Sequence, residues 1–137
     1  MAVLLDTSFV LAMSNRADRN HSRVLTVAQT VTDPLILPIT VLPEVTYLLG
    51  SRLGHLAMRQ FLKRLVTSNV MLEVITVADL ERAAEILENY ADSRLDFVDS
   101  TIVAIAERLD VTQILTLDRR DFLMIRPKHC SYFEILP

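Results

Sequence analysis

The chain is poor in cysteine and glycine and has no long apolar run. Cys130 is the only cysteine in 137 residues. That count excludes an internal disulfide and leaves no cysteine spacing for a metal site. It fits a reducing cytoplasm, with Cys130 expected to be a small residue near the last strand. Gly50 and Gly54 are the only glycines, so no Gly-rich loop exists to cradle a dinucleotide or a triphosphate. Charges interrupt every apolar stretch before it reaches the length of a membrane span. The start, Met1-Ala2-Val3-Leu4-Leu5-Asp6, lacks a basic region and meets an acid at once, so it does not read as a signal peptide. His21, His55 and His129 show no metal-ligand spacing and are expected at the surface or an interface. No repeat, low-complexity tract or domain boundary is visible.

What is there suffices for one domain over residues 1–137. Hydrophobic residues make up 51% of the chain, and the mean hydropathy is +0.34, which excludes disorder. The formal charge of −3 at first argues against a nucleic-acid partner. Four carboxylates engaged with a cation would move the remainder to +1, so net charge decides nothing.

Val3-Leu4-Leu5 reads as a strand buried on both faces. Asp6 follows, then a helix from Phe9 to Ser14 that Thr7 or Ser8 could cap. Asp6 thus stands at a strand's carboxyl end, where open parallel sheets bind ligands; a turn-forming role is its plain alternative. His21 to Val31 reads as a second helix, and Leu35 to Ile39 as a second strand. Thr40 is the expected cap of a helix running to about Arg52, with Pro43 tolerated in its first turn. Glu44 shares an apolar face with Val41 and Leu48. A charge serving only the helix dipole could equally face water, so this placement favours a site role. Leu56 to Ser68 is amphipathic, with Met58, Phe61, Leu62, Leu65 and Val66 on its apolar face. Arg59, Lys63 and Arg64 form an opposite face that reads as solvated surface, with contact to RNA phosphates as its alternative. Val70 to Ile75 is a third strand, and Thr76 to Tyr90 a helix opened by a capping box. Gln113 to Leu117 is a fourth strand, Asp118 to Phe122 a polar turn, and Tyr132 to Leu136 a last strand.

The helix from Asp96 to Leu109 organises the rest. Its apolar stripe contains Ile102, Val103 and Ala106, and Asp99 lies on that same face. A carboxylate facing inward is costly unless its charge is compensated. One account makes Asp96 the cap and Asp99 its capping-box partner; the other makes Asp99 a ligand.

Alternating strands and helices imply a three-layer α/β/α fold with a mostly parallel central sheet. Strand carboxyl ends and helix amino ends then share one edge. Asp6 and Asp118 follow strands, and Glu44 and Asp99 lie in first helical turns, so all four should face one rim. Four carboxylates there would raise each other's pKa values. A divalent cation resolves this, and an all-oxygen site suits Mg²⁺ or Mn²⁺ rather than Zn²⁺. Such a cation polarises a phosphoryl oxygen and activates water.

Four segments carry a resemblance: Leu4-Leu5-Asp6-Thr7-Ser8, Pro43-Glu44-Val45, Asp96-Phe97-Val98-Asp99-Ser100 and Leu115-Thr116-Leu117-Asp118-Arg119-Arg120-Asp121-Phe122. In this order and spacing the chain resembles a PIN domain, and within that superfamily the VapC-type ribonuclease toxins. The resemblance implies metal-dependent endonucleolytic cleavage of RNA by an acidic quartet, Asp6, Glu44, Asp99 and Asp118. It implies Asp6 and Asp99 as the main metal ligands, with Asp118 acting through water and Asp96 either standing behind those ligands or serving as an alternative one. Ser8 and Thr116 would orient water or phosphate, and Asp121 would be structural. It also implies a homodimer, inhibited by a VapB-type antitoxin whose helix lies in an apolar groove. The helices around His21 to Val31 and Leu56 to Ser68 are the candidates for that groove. Arg119, Arg120, Arg126 and Lys128, after the fourth strand, are expected to guide RNA.

Other classes fit less well. A phosphoryl-accepting receiver needs paired acids after the first strand and a late lysine; Thr7 follows Asp6, and Asp118 stands where the lysine is sought. A haloacid-dehalogenase-type phosphatase needs an acid at Ser8. A PIN nuclease acting in RNA processing or on DNA, and a catalytically idle interaction module, stay as alternatives.

Overall fold

A computed structural model describes all 137 residues. Five strands form one wholly parallel sheet: β1 (Val3–Leu5), β2 (Leu35–Pro38), β3 (Met71–Glu73), β4 (Gln113–Leu115) and β5 (Glu134–Leu136). Their order across the sheet is β3-β2-β1-β4-β5. The chain works outward from β1 to one edge, then returns to β1's other side with β4. The switch point lies between β1 and β4, the place where open α/β sheets open a crevice at strand carboxyl ends. Leu5 is in register with Leu115, so Asp6 and Thr116 emerge side by side.

Seven helices accompany the sheet: α1 (Thr7–Ser14), α2 (His21–Thr30), α3 (Val41–Leu53), α4 (His55–Thr67), α5 (Val77–Asn89), α6 (Phe97–Leu109) and α7 (Arg119–Met124). Gly54, alone between α3 and α4, has φ +102°. That conformation is open to glycine and strained for other residues. The most buried helix is α6. Asp99 and every residue from Ser100 to Ala106 are buried, so burial extends well beyond the stripe read from periodicity. Leu4, Leu5, Phe9, Val45, Ile102 and Ile105 join one continuous core around β1.

Several expectations change in detail. The polar turn after β4 is helix α7. Phe122 is its only buried residue and meets Phe133 edge-on, with ring centroids 6.5 Å apart. One inserted aromatic in six residues leaves no periodic stripe to read. The cap position of α1 is held by Asp6, without a side-chain cap bond. Thr40 does not cap α3 with its side chain either; its Oγ1 lies 2.8 Å from Thr101 Oγ1, joining α3's start to α6. On α4, Met58, Phe61 and Leu65 pack on the core, whereas Val66 is 84% exposed. His129 is half-buried rather than superficial, and its Nε2 lies 2.6 Å from the Val111 carbonyl oxygen, to which it donates.

The end of α6 remote from Asp99 is held by charge. Arg108 Nε and Nη2 donate to the Asp79 carboxylate at 3.0 Å, and Nη2 also donates to the Val74 carbonyl at 3.1 Å. The Asp79 side chain is 3% exposed. Burial alone would raise its pKa; hydrogen bonds from Arg108 and Thr76 outweigh burial and hold it below the ordinary carboxylate value. Arg108→Ala is expected to cost about 3 kcal/mol, because it strands a buried carboxylate. Urea unfolding would show a lower midpoint, while metal binding at the opposite end of α6 stays unchanged.

Candidate active site

The sheet's switch point opens into a cavity of about 510 Å³. Asp6, at 2% exposure, enters from the end of β1. Its Oδ2 accepts the Thr116 hydroxyl at 2.6 Å and the Ser8 hydroxyl at 3.3 Å. Thr116 Oγ1 in turn accepts the Asp118 amide at 2.9 Å, and Ser8 Oγ accepts the Leu117 amide at 2.9 Å. The two hydroxyls thus lace the end of β1 to the end of β4 and hold the Asp6 carboxylate in one orientation. That orientation follows from the β1–β4 register, since 110 residues separate Asp6 from Thr116.

Asp99 comes from the first turn of α6 and is 8% exposed. The capping-box account of it holds. The capping box is present: Asp96 Oδ1 accepts the Asp99 amide at 2.9 Å, and Asp99 Oδ2 accepts the Asp96 amide at 3.2 Å. The same carboxylate converges with those of Asp6 and Asp118, one oxygen from each lying within 4.8 Å of the others. Glu44, half-buried in the first turn of α3, and exposed Asp96 line the same cavity outside this tight group. Asp121 and Asp18 add two further acids to the wall.

Electrostatics register the crowding. Burial pushes Asp99 up to about 8, with the charges of Asp96 and then Asp6 adding to it. Burial also pushes Asp6 up to about 6, against the lowering hydrogen bonds from Thr116, the Thr7 backbone and Ser8. Asp118 is raised, first by burial and then by the charges of Asp121 and Asp96. A cluster that resists ionising when empty accepts a cation readily, because the cation supplies the missing compensation. The donors are all oxygen, which suits a hard divalent ion. Thr7 also lines the cavity, and its buried Oγ1 has no hydrogen-bond partner.

Two functional candidates escaped the reading of the sequence. Arg52 and Arg94 stand in the cavity wall among the acids, and neither forms an ion pair. The signal for Arg52 was its place four residues beyond Leu48 and eight beyond Glu44 on one face of α3. Arg94 sits in the linker before α6, where no periodicity marks a facing direction.

The cations expected to guide RNA are dispersed. Arg120 borders an adjoining cavity, and Arg126 is held beside it by its amide, which donates to the Tyr90 hydroxyl at 2.9 Å. Arg119 turns away, donating to the Ile135 and Pro137 carbonyls at 3.3 Å. The Lys128 amide donates to Glu107 and its Nζ lies 3.8 Å from Glu85, so it belongs to the far end of α6. Of the two helices expected to form an apolar groove, α4 does so. Met13, Phe61 and Leu65 wall a recess of about 210 Å³ between it and the end of α1, and α2 does not line it.

A parallel sheet whose switch point gathers carboxylates from β1, α6 and the end of β4, two of them buried, defines an α/β class with an acidic crevice. The profile of the PIN domain matches residues 3–126; the chain belongs to the PIN-domain family. It is 33% identical to Ribonuclease VapC26 of Mycobacterium tuberculosis over 98% of this chain and 100% of that protein. Its fold is that of VapC20 of the same organism, a toxin that cleaves the sarcin–ricin loop. There the TM-score is 0.84 at 24% identity, covering 98% of this chain and 99% of the other. VapBC2 from Rickettsia felis, in a crystal structure with promoter DNA, matches with a TM-score of 0.74 at 15% identity, both chains being covered in full.

Proposed function

We propose that residues 1–137 act as a single nuclease domain, a Mg²⁺- or Mn²⁺-dependent endoribonuclease that is the toxin of a toxin–antitoxin pair. The observation that carries this reading is the convergence of three carboxylates within 4.8 Å in a cavity of about 510 Å³. The ribonuclease named among the relatives supports the substrate class.

Asp6 and Asp99 would hold the metal, with Asp118 and Asp96 completing its surroundings through water. The bound cation supplies Lewis acidity toward a phosphoryl oxygen and makes water a better nucleophile. Ser8 and Thr116 keep the Asp6 carboxylate fixed, so no reorganisation is needed as charge develops. Glu44 stands in the same cavity outside the tight group, where its carboxylate can orient the attacking water. The water oxygen bonds to phosphorus, the bond from phosphorus to the 3′ oxygen breaks, and that oxygen takes up a proton. A 5′-phosphate and a 3′-hydroxyl result.

The recess between α1 and α4 supports an antitoxin that lays an apolar helix there. A homodimer in the cytoplasm completes the reading; no helix is long and apolar enough to cross a membrane. A PIN nuclease acting on DNA, or an idle interaction module, is separated from this by one assay. The purified chain, free of antitoxin, is expected to cut RNA with Mg²⁺ or Mn²⁺ and to stop in EDTA. Cutting of DNA alone, or of neither substrate, would sink the ribonuclease reading.

A further inference from the structure

A second cavity, of about 390 Å³, adjoins the acidic one. Arg94 and Asp121 belong to the walls of both. Its sides are the end of α5, the linker into α6, and α7. These walls are well tied. The Tyr90 carbonyl accepts the Ser93 amide at 2.9 Å and the Ser93 hydroxyl at 2.6 Å, and Ser93 Oγ accepts the Leu95 amide at 3.2 Å. That turn fixes the backbone on either side of Arg94. The Tyr90 hydroxyl accepts the Arg126 amide at 2.9 Å, which holds the segment after α7 against the end of α5. The Tyr90 hydroxyl proton stays free to donate.

The charge of the cavity is mixed. Arg94 and Arg120 line it, and so do Asp92 and Asp121. Neither arginine is within 4 Å of a carboxylate. Elsewhere the arginines that pair do so fully: Arg82 grips Glu107 through Nε and Nη2 at 2.7 and 3.0 Å, and Arg108 grips Asp79. Two unpaired planar forks in one wall lack an acceptor that matches them, and phosphate is such an acceptor. A bare anion would also meet the two carboxylates. A nucleotide suits the whole wall, because its ribose hydroxyls donate to carboxylates while its phosphate accepts from the arginines.

The geometry points to this second cavity as the seat of the nucleotide unit next to the scissile phosphate, with Arg94 and Arg120 sharing its phosphate. This rests on the ribonuclease reading above. Arg94 is the hinge between the two cavities, since it lines both. A strand leaving the acidic group therefore passes over Arg94 before it reaches Arg120.

The test is fluorescence anisotropy of a labelled twelve-nucleotide oligouridylate against the full chain, in EDTA so that it is not cut, at several salt concentrations. Arg94→Gln and Arg120→Gln are each expected to weaken binding about threefold to tenfold and to lower the salt slope by about one. The double variant should approach the product of the two losses. Arg23→Gln, an exposed arginine on α2, serves as the control and should change little. All these side chains lie at the surface, so folding is preserved, and circular dichroism would check it. A wild-type chain that binds RNA, with a double variant no weaker than Arg23→Gln, overturns the second seat and leaves the nuclease reading standing. A wild-type chain that neither binds nor cuts RNA removes the nuclease reading and this inference with it.

Discussion

Asp99→Asn is expected to reduce RNA cleavage by on the order of a thousandfold or more, the scale of losing a main electrostatic element of a site, while the metal-free protein becomes more heat-stable. The two effects have opposite signs because Asp99 has a structural role in the capping box and a ligand role in the proposed reaction. Its structural role needs an oxygen that accepts the Asp96 amide, and an asparagine oxygen does this as well as a carboxylate. Its site role needs charge, which the amide lacks. In the empty site that charge is a liability, since burial and the neighbouring Asp96 and Asp6 carboxylates push its pKa to about 8. Removing it relieves strain on the fold and ends cation binding together. Scanning calorimetry in EDTA should show a Tm a few degrees higher for the variant, with no further rise on adding Mg²⁺. A variant that is destabilised and still active would assign Asp99 to the capping box alone.

The metal-free protein should lose stability as pH rises from about 5 to 8, and Mg²⁺ should restore it. Asp99 and Asp6 both have folded pKa values above 3.8, near 8 and 6. The folded state therefore holds more protons than the unfolded state between the two sets of values, and stability falls with pH across that interval. Below the unfolded value both states are protonated and no penalty exists; above the folded values the penalty is complete. It amounts to a few kcal/mol, or roughly 10 °C in Tm for a chain of this length. Asp79 and Glu107 shift the other way, through their hydrogen bonds to Arg108 and Arg82. Their contribution disappears only when the solution becomes acidic enough to protonate them, so it lies outside this window. Thermal melts at pH 5, 6.5 and 8, with EDTA and with Mg²⁺, read the effect directly. A metal-free Tm that rises over that range would contradict the raised carboxylates. Equal slopes with and without Mg²⁺ would show that the cation does not bind there.

Much of this was legible along the chain. Short continuous apolar runs such as Val3-Leu4-Leu5 have one reading in an alternating chain, a strand covered on both sides. That alternation dictates a parallel sheet with a common rim. Asp6, Glu44, Asp99 and Asp118 could be assigned to the rim because a strand end and a first helical turn are local features. The capping boxes of α5 and α6 were legible for the same reason, since their partners are three residues apart.

Other features depend on partners distant in sequence. The lacing of Asp6 by Thr116 needs the register of β1 on β4. The separation of Glu44 from the tight group of three depends on how far α3 stands from the sheet. The division of the cations into free Arg94 and Arg120, and engaged Arg119 and Lys128, depends on which carbonyl or carboxylate lies within reach. The sequence by itself determined the fold class and the acids at its rim, because hydrophobic period and helix-end chemistry act over a few residues. Only the tertiary structure decided which acids meet within bonding range of one ion and which arginines stay free, because electrostatic pairing is a matter of distance in space.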